Sequence, residues 1–528
     1  MCESEYVSLE EERMSGKQGE GRISRREFIK GAGLLGATAA GSTLLAGCGT
    51  TSAASVTWDR ETDVVIVGYG GAGAVAAVAA RDAGAEVIVL EKREVPGGST
   101  AISGGLCYAA GTSVQQAAGI QDSADAMYQH YLNAGKGLND PAQVRLAADR
   151  SADNVDWLTS LGATWPAPPS VSGAEVNVGS EPVARVHSAA YGDLSGGAAF
   201  FQVLADAATS KGAEILMSTA AKELVVGDDG AVVGVKAESG GQQMFIKARR
   251  AVILTTGGFT RSQEMMAGFS RDAFNSQPLG VPDLTGDGHR MAFALGADAI
   301  NISEVLGIPG LTLPGAVAAT YALWSFMPDL AAIFVNKNGK RFVDEFKFYD
   351  WKNTELLHQP DSIAFSVFDD ATRQSGAGRI VAGFSETLEQ EVTDGTVFKA
   401  NTIGALANEI GVPAAAFEAT ITKWNEDVAA GVDTDWGRTA ALAPIATAPF
   451  YAFKTYSTLF DNSGGIKINT DAQVVNTWGN VIPRLYAAGQ VSGGVIGEHY
   501  PGSGTALNAL VTFGRIAGAK VAAETPLT

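Results

Sequence analysis

A chain of 528 residues, 46% of them hydrophobic, is long enough for roughly two to four domains, and its 18% of charged residues excludes intrinsic disorder for the body. The 38 Lys+Arg against 57 Asp+Glu leave a net charge of -19 with no basic stripe, which excludes nucleic-acid binding. The three cysteines, Cys2, Cys48 and Cys107, exclude a disulfide framework, a Cys-built zinc site and a self-contained iron–sulfur cluster, so any redox chemistry needs an organic cofactor.

In chain order, Ser24-Arg25-Arg26-Glu27-Phe28-Ile29-Lys30 precedes a Gly/Ala/Leu run from Gly31 to Gly47, and Leu45-Ala46-Gly47-Cys48 closes it. The basic segment and modest apolar run are similar to a twin-arginine export signal, and the closing tetrapeptide is similar to a bacterial lipoprotein cleavage box. The run is too short and too rich in Gly to favour a spanning helix. The expectations are a signal over 1–48, export in the folded state, a lipid on Cys48 that anchors the protein at the outer face of the cell membrane, and a small polar tether over 49–56.

Asp63-Val64-Val65-Ile66-Val67 is a continuous apolar run, the pattern of a strand buried on both faces. Gly68-Tyr69-Gly70-Gly71-Ala72-Gly73 follows, then an Ala/Val-rich helix to about Ala83, a second buried strand Glu86–Leu90, and Glu91, 23 residues after Gly68. This is a βαβ unit with G-x-G-x-x-G in its first turn. Gly68 permits the tight turn, Gly70 brings backbone N–H groups to a pyrophosphate, Gly73 lets helix meet sheet, and Glu91 is placed for a ribose diol. The motif alone does not separate FAD from NAD. Three further features favour FAD: the loop Gly97-Gly98-Ser99-Thr100 with Ser103-Gly104-Gly105, the strand Ala251–Thr256 ending in Gly257-Gly258, and the strand Leu485–Ala488 ending in Gly489-Gln490. Several strand ends converging on one ligand suit a long cofactor. A helix is expected from about Thr505 to Ala523.

With Thr285-Gly286-Asp287-Gly288, Val335–Glu345 (VNKNGKRFVDE) and Thr512–Gly518 (TFGRIAG), these segments make the chain from about Thr57 to Thr528 resemble the fumarate reductase/3-ketosteroid dehydrogenase superfamily of FAD enzymes. The resemblance implies an α/β fold: a split Rossmann-like FAD-binding domain, 57–302 and 453–528, with an inserted α+β substrate (capping) domain, 303–452. On matching positions it assigns FAD to Gly68, Gly70, Gly71, Ala72, Gly73, Glu91, Lys92, Gly98, Ser99, Thr100, Ser103, Gly104 and Gly105, then to Thr256, Gly257, Asp287, Gly489, Gln490, Gly504, Ala506 and Leu507.

Two positions point to a branch. Fumarate reductases resemble one another in an Arg four residues after the Glu of RF-x-x-E and in an Arg of a C-terminal N-R-x-G-G segment; here Tyr349 and Tyr500 stand there. A phenol is a poor partner for a carboxylate, whereas Arg is a natural one. Tyr500-Pro501-Gly502-Ser503-Gly504 is similar instead to 3-ketosteroid dehydrogenases, although Ser503 and Leu507-Asn508 depart from that pattern. The resemblance implies that Tyr500 O–H and Gly504 N–H bind a carbonyl oxygen, that Tyr349 exchanges a proton with the α carbon, and that flavin N5 exchanges hydride with the β carbon. A tyrosine of ordinary pKa, about 10, then needs a neighbour that lowers its pKa or passes its proton on. Tyr108 and Tyr191 are candidates for a further tyrosine of the site.

The expected function is interconversion of saturated and α,β-unsaturated carbonyl compounds of ketosteroid type, with an external electron donor or acceptor. Two alternatives stand beside it. An enoate reductase of the fumarate or urocanate type needs a carboxylate-binding Arg, with Arg185 and Arg341 first in line. An electron-transfer module without substrate is opposed by the large inserted domain, where Trp324 and Phe326 either line a pocket or form its core. The five histidines, His130, His187, His289, His358 and His499, show no metal spacing, so no metal is expected. His499 beside Tyr500 is read as structural or as tuning it, and Cys107 as a small apolar filler near the flavin.

Overall fold

Val64, Val65 and Ile66 have no polar face to offer water, and they form the middle of a strand, β1 (Arg60–Val67), with no exposed surface. Helix α1 (Gly71–Asp82) returns the chain to β2 (Val87–Leu90), which runs parallel to β1 with Val67 opposite Leu90. On the other side of β1 lies β3 (Gln242–Leu254), also parallel, with Leu254 opposite Val67. The structure, a computed structural model, describes residues 51–312, 320–322, 331–375 and 385–527. The twin-arginine segment, Cys2, Cys48, Trp324 and Phe326 lie outside the described residues. No helix of the described residues is long and apolar enough to cross a membrane. Thr51–Ser52, expected within a tether, instead pairs with Val225 and Val226 at the edge of this first sheet.

The second sheet is largely antiparallel: β4 (Val305–Thr312), β5 (Ile333–Asn336), β6 (Ile363–Asp369) and β7 (Phe450–Asn462), in the order β4-β7-β6-β5. Its alternation is that of a strand covered on both faces. Ile333, Val335, Phe365 and Val367 join Phe417, Ile421 and Trp424 in one apolar cluster, while Phe334, Ala364 and Phe368 join Phe342 and Leu356 in another. Between β5 and β6 the helix α2 (Tyr349–Leu357) lies against β4. Strand β7 is continuous through the expected boundary at 452/453.

The chain then returns to the first sheet. β8 (Val481–Ala487) pairs in parallel with β3, Ala487 opposite Leu254, and α3 (Thr505–Ala523) packs along α1. Four parallel strands, in the order β2-β1-β3-β8, therefore end at one edge, where Glu91, Gly68, Thr255 and Ala488 emerge side by side. An open sheet of this kind offers its ligand crevice at the carboxyl ends of its strands. Residues 50–528 form one compact unit.

Candidate active site

A cavity of about 510 Å³ opens at that edge. Its wall includes every position assigned above to cofactor except Gly73, together with Tyr349, Tyr500 and Gly504. Gly73 acts from behind: a Cβ there would stand 2.0 Å from Gly68 O, so only glycine lets α1 begin directly over the end of β1. The expectation that Gly73 lets helix meet sheet thus matches the geometry, without contact to the cavity. Gly70, the N-cap of α1, has no side chain to cap the first turn, where Gly71 N–H donates to Thr100 Oγ1 at 3.2 Å; this helix start lies on the wall, where an anion is favoured.

Glu91 is oriented by two backbone N–H groups, Tyr69 donating to Oε2 and Arg93 to Oε1, each at 2.9 Å. Lys92 Nζ donates to Asp283 O, to Thr285 Oγ1 at 2.9 Å and to Asp287 Oδ2 at 2.8 Å, while Arg93 pairs with Asp283 at 3.1 Å. The hydroxyls of Ser99 and Thr256 are buried on the wall without a hydrogen-bond partner. Buried polar groups are rarely left so, and the pair fits a polar ligand. With the start of α1 and the Glu91 carboxylate, the residues present suit FAD: an anion site, a diol acceptor and orphaned hydroxyls along one crevice.

The tyrosine region differs in character. Leu306, Ile308, Tyr349 and Tyr500 form one buried cluster against which Leu279, Phe460 and Ala506 pack. Tyr349 is the first residue of α2, and its ring lies 6.4 Å from that of Tyr500 and 5.9 Å from Phe460. Gly504 precedes α3 at φ 105°, and a Cβ there would lie 2.7 Å from Tyr108 N. This turn aims the start of α3 at Tyr500: the N–H groups of Gly504 and Ala506 donate to Tyr500 Oη at 3.2 and 3.1 Å. Gly504 N–H is therefore directed to the phenol oxygen rather than left open for a substrate oxygen. With two bonds accepted, the Tyr500 proton is left to be given to a third partner, and the hydroxyl belongs to a residue on the cavity wall.

Burial pushes the Tyr500 phenol up to about 12, against the opposing pull of the Ala506 and Gly504 N–H groups. Burial likewise holds Tyr349 well above its ordinary value, with Tyr500 adding to the effect. The hydrogen bond with Ser503 pulls Tyr349 the other way without overcoming burial. The other device anticipated for it is present: Ser503 Oγ, itself on the wall, stands 3.4 Å from Tyr349 Oη.

Several expected residues are elsewhere. Arg185 is 2% exposed and bonds Asp122 through Nε and Nη2 at 2.7 Å each. Arg341 is held by Glu345 and Asp433, with Nη2 2.8 and 3.0 Å away. Neither lines the cavity, and freeing either from its buried partners costs about 3–5 kcal/mol. Tyr108 is buried and gives its hydroxyl to Glu175, and Tyr191 bonds Asp206 at the surface; neither lines the cavity. Cys107 is a buried core residue, its thiol pushed up to about 12 by burial, with neighbouring Leu106 on the wall in its place. His130 holds Pro501 O at 2.5 Å and His499 stacks on Trp351, so both brace the Tyr500 segment. The described residues hold no metal-binding group of side chains. Missed in the sequence were Leu279, Val281, Leu306, Ile308 and Phe460, because only strand pairing shows which residues face the cavity.

The FAD binding domain family matches residues 63–507. The chain belongs to that family. It is an FAD-dependent oxidoreductase acting on carbon–carbon double bonds, with fumarate and urocanate reductases among its relatives. A fumarate reductase (cytochrome) of Shewanella frigidimarina is 33% identical, over 87% of this chain and 77% of the relative. The digoxin reductase of Eggerthella lenta is 32% identical over 96% of this chain and 98% of its own. Among solved structures, a 3-ketosteroid-Δ4-(5α)-dehydrogenase of Rhodococcus jostii bound to 4-androstene-3,17-dione superposes with a TM-score of 0.74 at 28% identity, covering 90% of this chain and 99% of that one.

Proposed function

We propose that this flavoprotein reduces the C=C bond of apolar α,β-unsaturated ketones of steroid-like shape. The observation that carries the reading is the composition of the wall around the two tyrosines: two phenols, one serine hydroxyl and aliphatic or aromatic side chains, with no guanidinium. The only cations among the described residues of the wall are Lys92 and Arg93, and both are engaged near Glu91. Of the internal stretches outside the described residues, 313–319 and 323–330 contain no Lys or Arg, and 376–384 contains one, Arg379. A dicarboxylate would enter such a site without a counter-charge, which burial makes costly. The ketosteroid dehydrogenase likeness supports the same substrate class, and the digoxin reductase relative supports the steroid-like shape.

FAD, held by Glu91, Ser99, Thr256 and the start of α1, would supply the hydride for the β carbon. Tyr500 donates its hydrogen bond to the carbonyl oxygen as negative charge develops there, and the start of α3 stabilises that charge through Tyr500 Oη. Tyr349 gives a proton to the α carbon, and Ser503 passes a solvent proton to the resulting phenolate. The atoms balance as one hydride and one proton added across the double bond. Burial keeps both phenols protonated at neutral pH, so Tyr349 carries the proton that reduction consumes. Electrons then come from an external donor, a membrane chain or a redox protein. The twin-arginine and Cys48 segments support export and anchoring as part of the same proposal.

The test is reoxidation of the chemically reduced protein under nitrogen by a steroid enone, digoxin, fumarate and urocanate. Fast reoxidation by the steroid enone, reduced about 100-fold in Tyr500→Phe and at least as much in Tyr349→Phe, is expected. Reoxidation by the acids alone would sink the proposal.

A further inference from the structure

We propose that Asp350 is a positioning residue that sets the spacing between the two tyrosines; this deepens the enone-reduction reading and rests on it. Asp350 follows Tyr349 in the first turn of α2 and is 2% exposed. Its Oδ2 accepts the backbone N–H of Tyr500 at 3.0 Å. The next residue, Trp351, stacks on His499 with ring centroids 4.1 Å apart and planes 23° from parallel. Residues 349–351 thus dock against residues 499–500, from a segment that lies 150 positions away in the chain.

Tyr500 is consequently pinned twice. Its phenol oxygen is held by the N–H groups of Gly504 and Ala506, and its backbone by the element that carries Tyr349. The Tyr500 N–H lies outside both helices and has no helical acceptor, so without the carboxylate it would be a buried orphan donor. A carboxylate this deeply buried is unfavourable unless bonded, and its position between the proton donor and the carbonyl-binding phenol gives the bond a task. Other contacts brace the same seam: Phe348 N–H donates to Asn177 Oδ1 at 3.0 Å and Ser503 N–H to Ser172 Oγ at 3.0 Å. Only the Asp350 bond joins the two tyrosine segments through the backbone of a tyrosine itself. Substrate affinity rests on the apolar wall, which Asp350 does not line, so its loss should act on turnover rather than on binding.

The experiment uses the flavin-loaded full chain and a steroid enone, with flavin content and melting temperature measured on every variant. Asp350→Ala is expected to lower kcat about 10- to 100-fold while KM stays within about threefold. Asp350→Asn keeps an oxygen acceptor for the Tyr500 N–H and recovers most of the lost turnover. Should Asp350→Ala fail to hold flavin, Asp350→Glu takes its place, since it keeps the charge but displaces the acceptor by one methylene; its kcat falls with flavin content intact. Wild-type kcat in Asp350→Ala or Asp350→Glu, or an Asn variant as slow as Ala, overturns the proposal. Tyr500→Phe is measured beside them: full activity there removes the enone-reduction reading itself, whereas an inactive Tyr500→Phe with a fully active Asp350→Ala removes only the role of Asp350.

Discussion

Among the described residues, the cavity wall around Glu91 carries five charged residues, Glu91, Lys92, Arg93, Asp283 and Asp287, most of them paired with one another; around Tyr349 and Tyr500 it carries none. The charged region comes mainly from one βαβ unit and a loop clamped to it by Lys92. The neutral region is assembled from α2, the turn before α3 and the strands β4 and β7, which are remote in sequence. The first arrangement suits a ligand of fixed chemistry that carries its own phosphates and hydroxyls. The second suits an apolar molecule in which charge appears only during reaction, where preorganised neutral donors act most strongly because nothing screens them.

The largest effect should come from breaking the charged region at its backbone. In Gly73→Ala the new Cβ would meet Gly68 O, at 2.0 Å in the present geometry, so the turn over β1 must open. We expect a loss of more than about 3 kcal/mol of stability and purification of colourless protein. The flavin-to-protein absorbance ratio checks this, and a fully yellow Gly73→Ala would show that the turn does not carry the cofactor.

A smaller break sharpens the comparison. Lys92→Ala removes the link from Nζ to Asp283 O, Thr285 and Asp287 without touching the tyrosine region. Its partners are about a third exposed, so the ion pair itself is worth little and the bond to the buried carbonyl more. Flavin should bind about 5- to 10-fold more weakly, with kcat of the saturated enzyme unchanged. A fall in kcat at full flavin occupancy would mean that the two regions are not separable.

The same contrast decides what is legible in the sequence. Gly68–Gly73 and Glu91 act within about 25 residues of chain, where hydrophobic runs and glycine spacing determine the geometry almost alone. Tyr349 and Tyr500 stand out only through a resemblance, since a tyrosine among Phe346, Phe348 and Trp351 is ordinarily core packing. Asp350 carries no signal at all, because its meaning is a bond to a backbone 150 residues later. Leu306 and Ile308 read as unremarkable strand residues until pairing with β7 assigns them a face. Arg185 and Arg341 show the converse: both are credible ligands by type, and both are consumed by carboxylates that no spacing rule connects to them.

The smallest effect concerns Asp461, at the end of β7 next to Phe460 of the wall. It has no exposed surface, its Oδ1 accepts only the neighbouring Asn462 N–H, and Oδ2 has no partner. Burial pushes its carboxyl from 3.8 up to about 7. The folded state then holds a proton that the unfolded chain releases, so stability is full below about pH 4 and declines as pH rises through 7. Asp461→Asn mimics the protonated side chain and cannot ionise. It should match the parent at pH 4.5 and exceed it at pH 8 by on the order of 2 kcal/mol, a rise of a few degrees in melting temperature. Because Asp461 does not line the cavity, this gain should leave the reduction rate at pH 8 nearly unchanged. An equal gain at both pH values would instead trace the effect to packing against Gly258, whose Cβ position lies 1.9 Å from Asp461 Oδ1, rather than to ionisation.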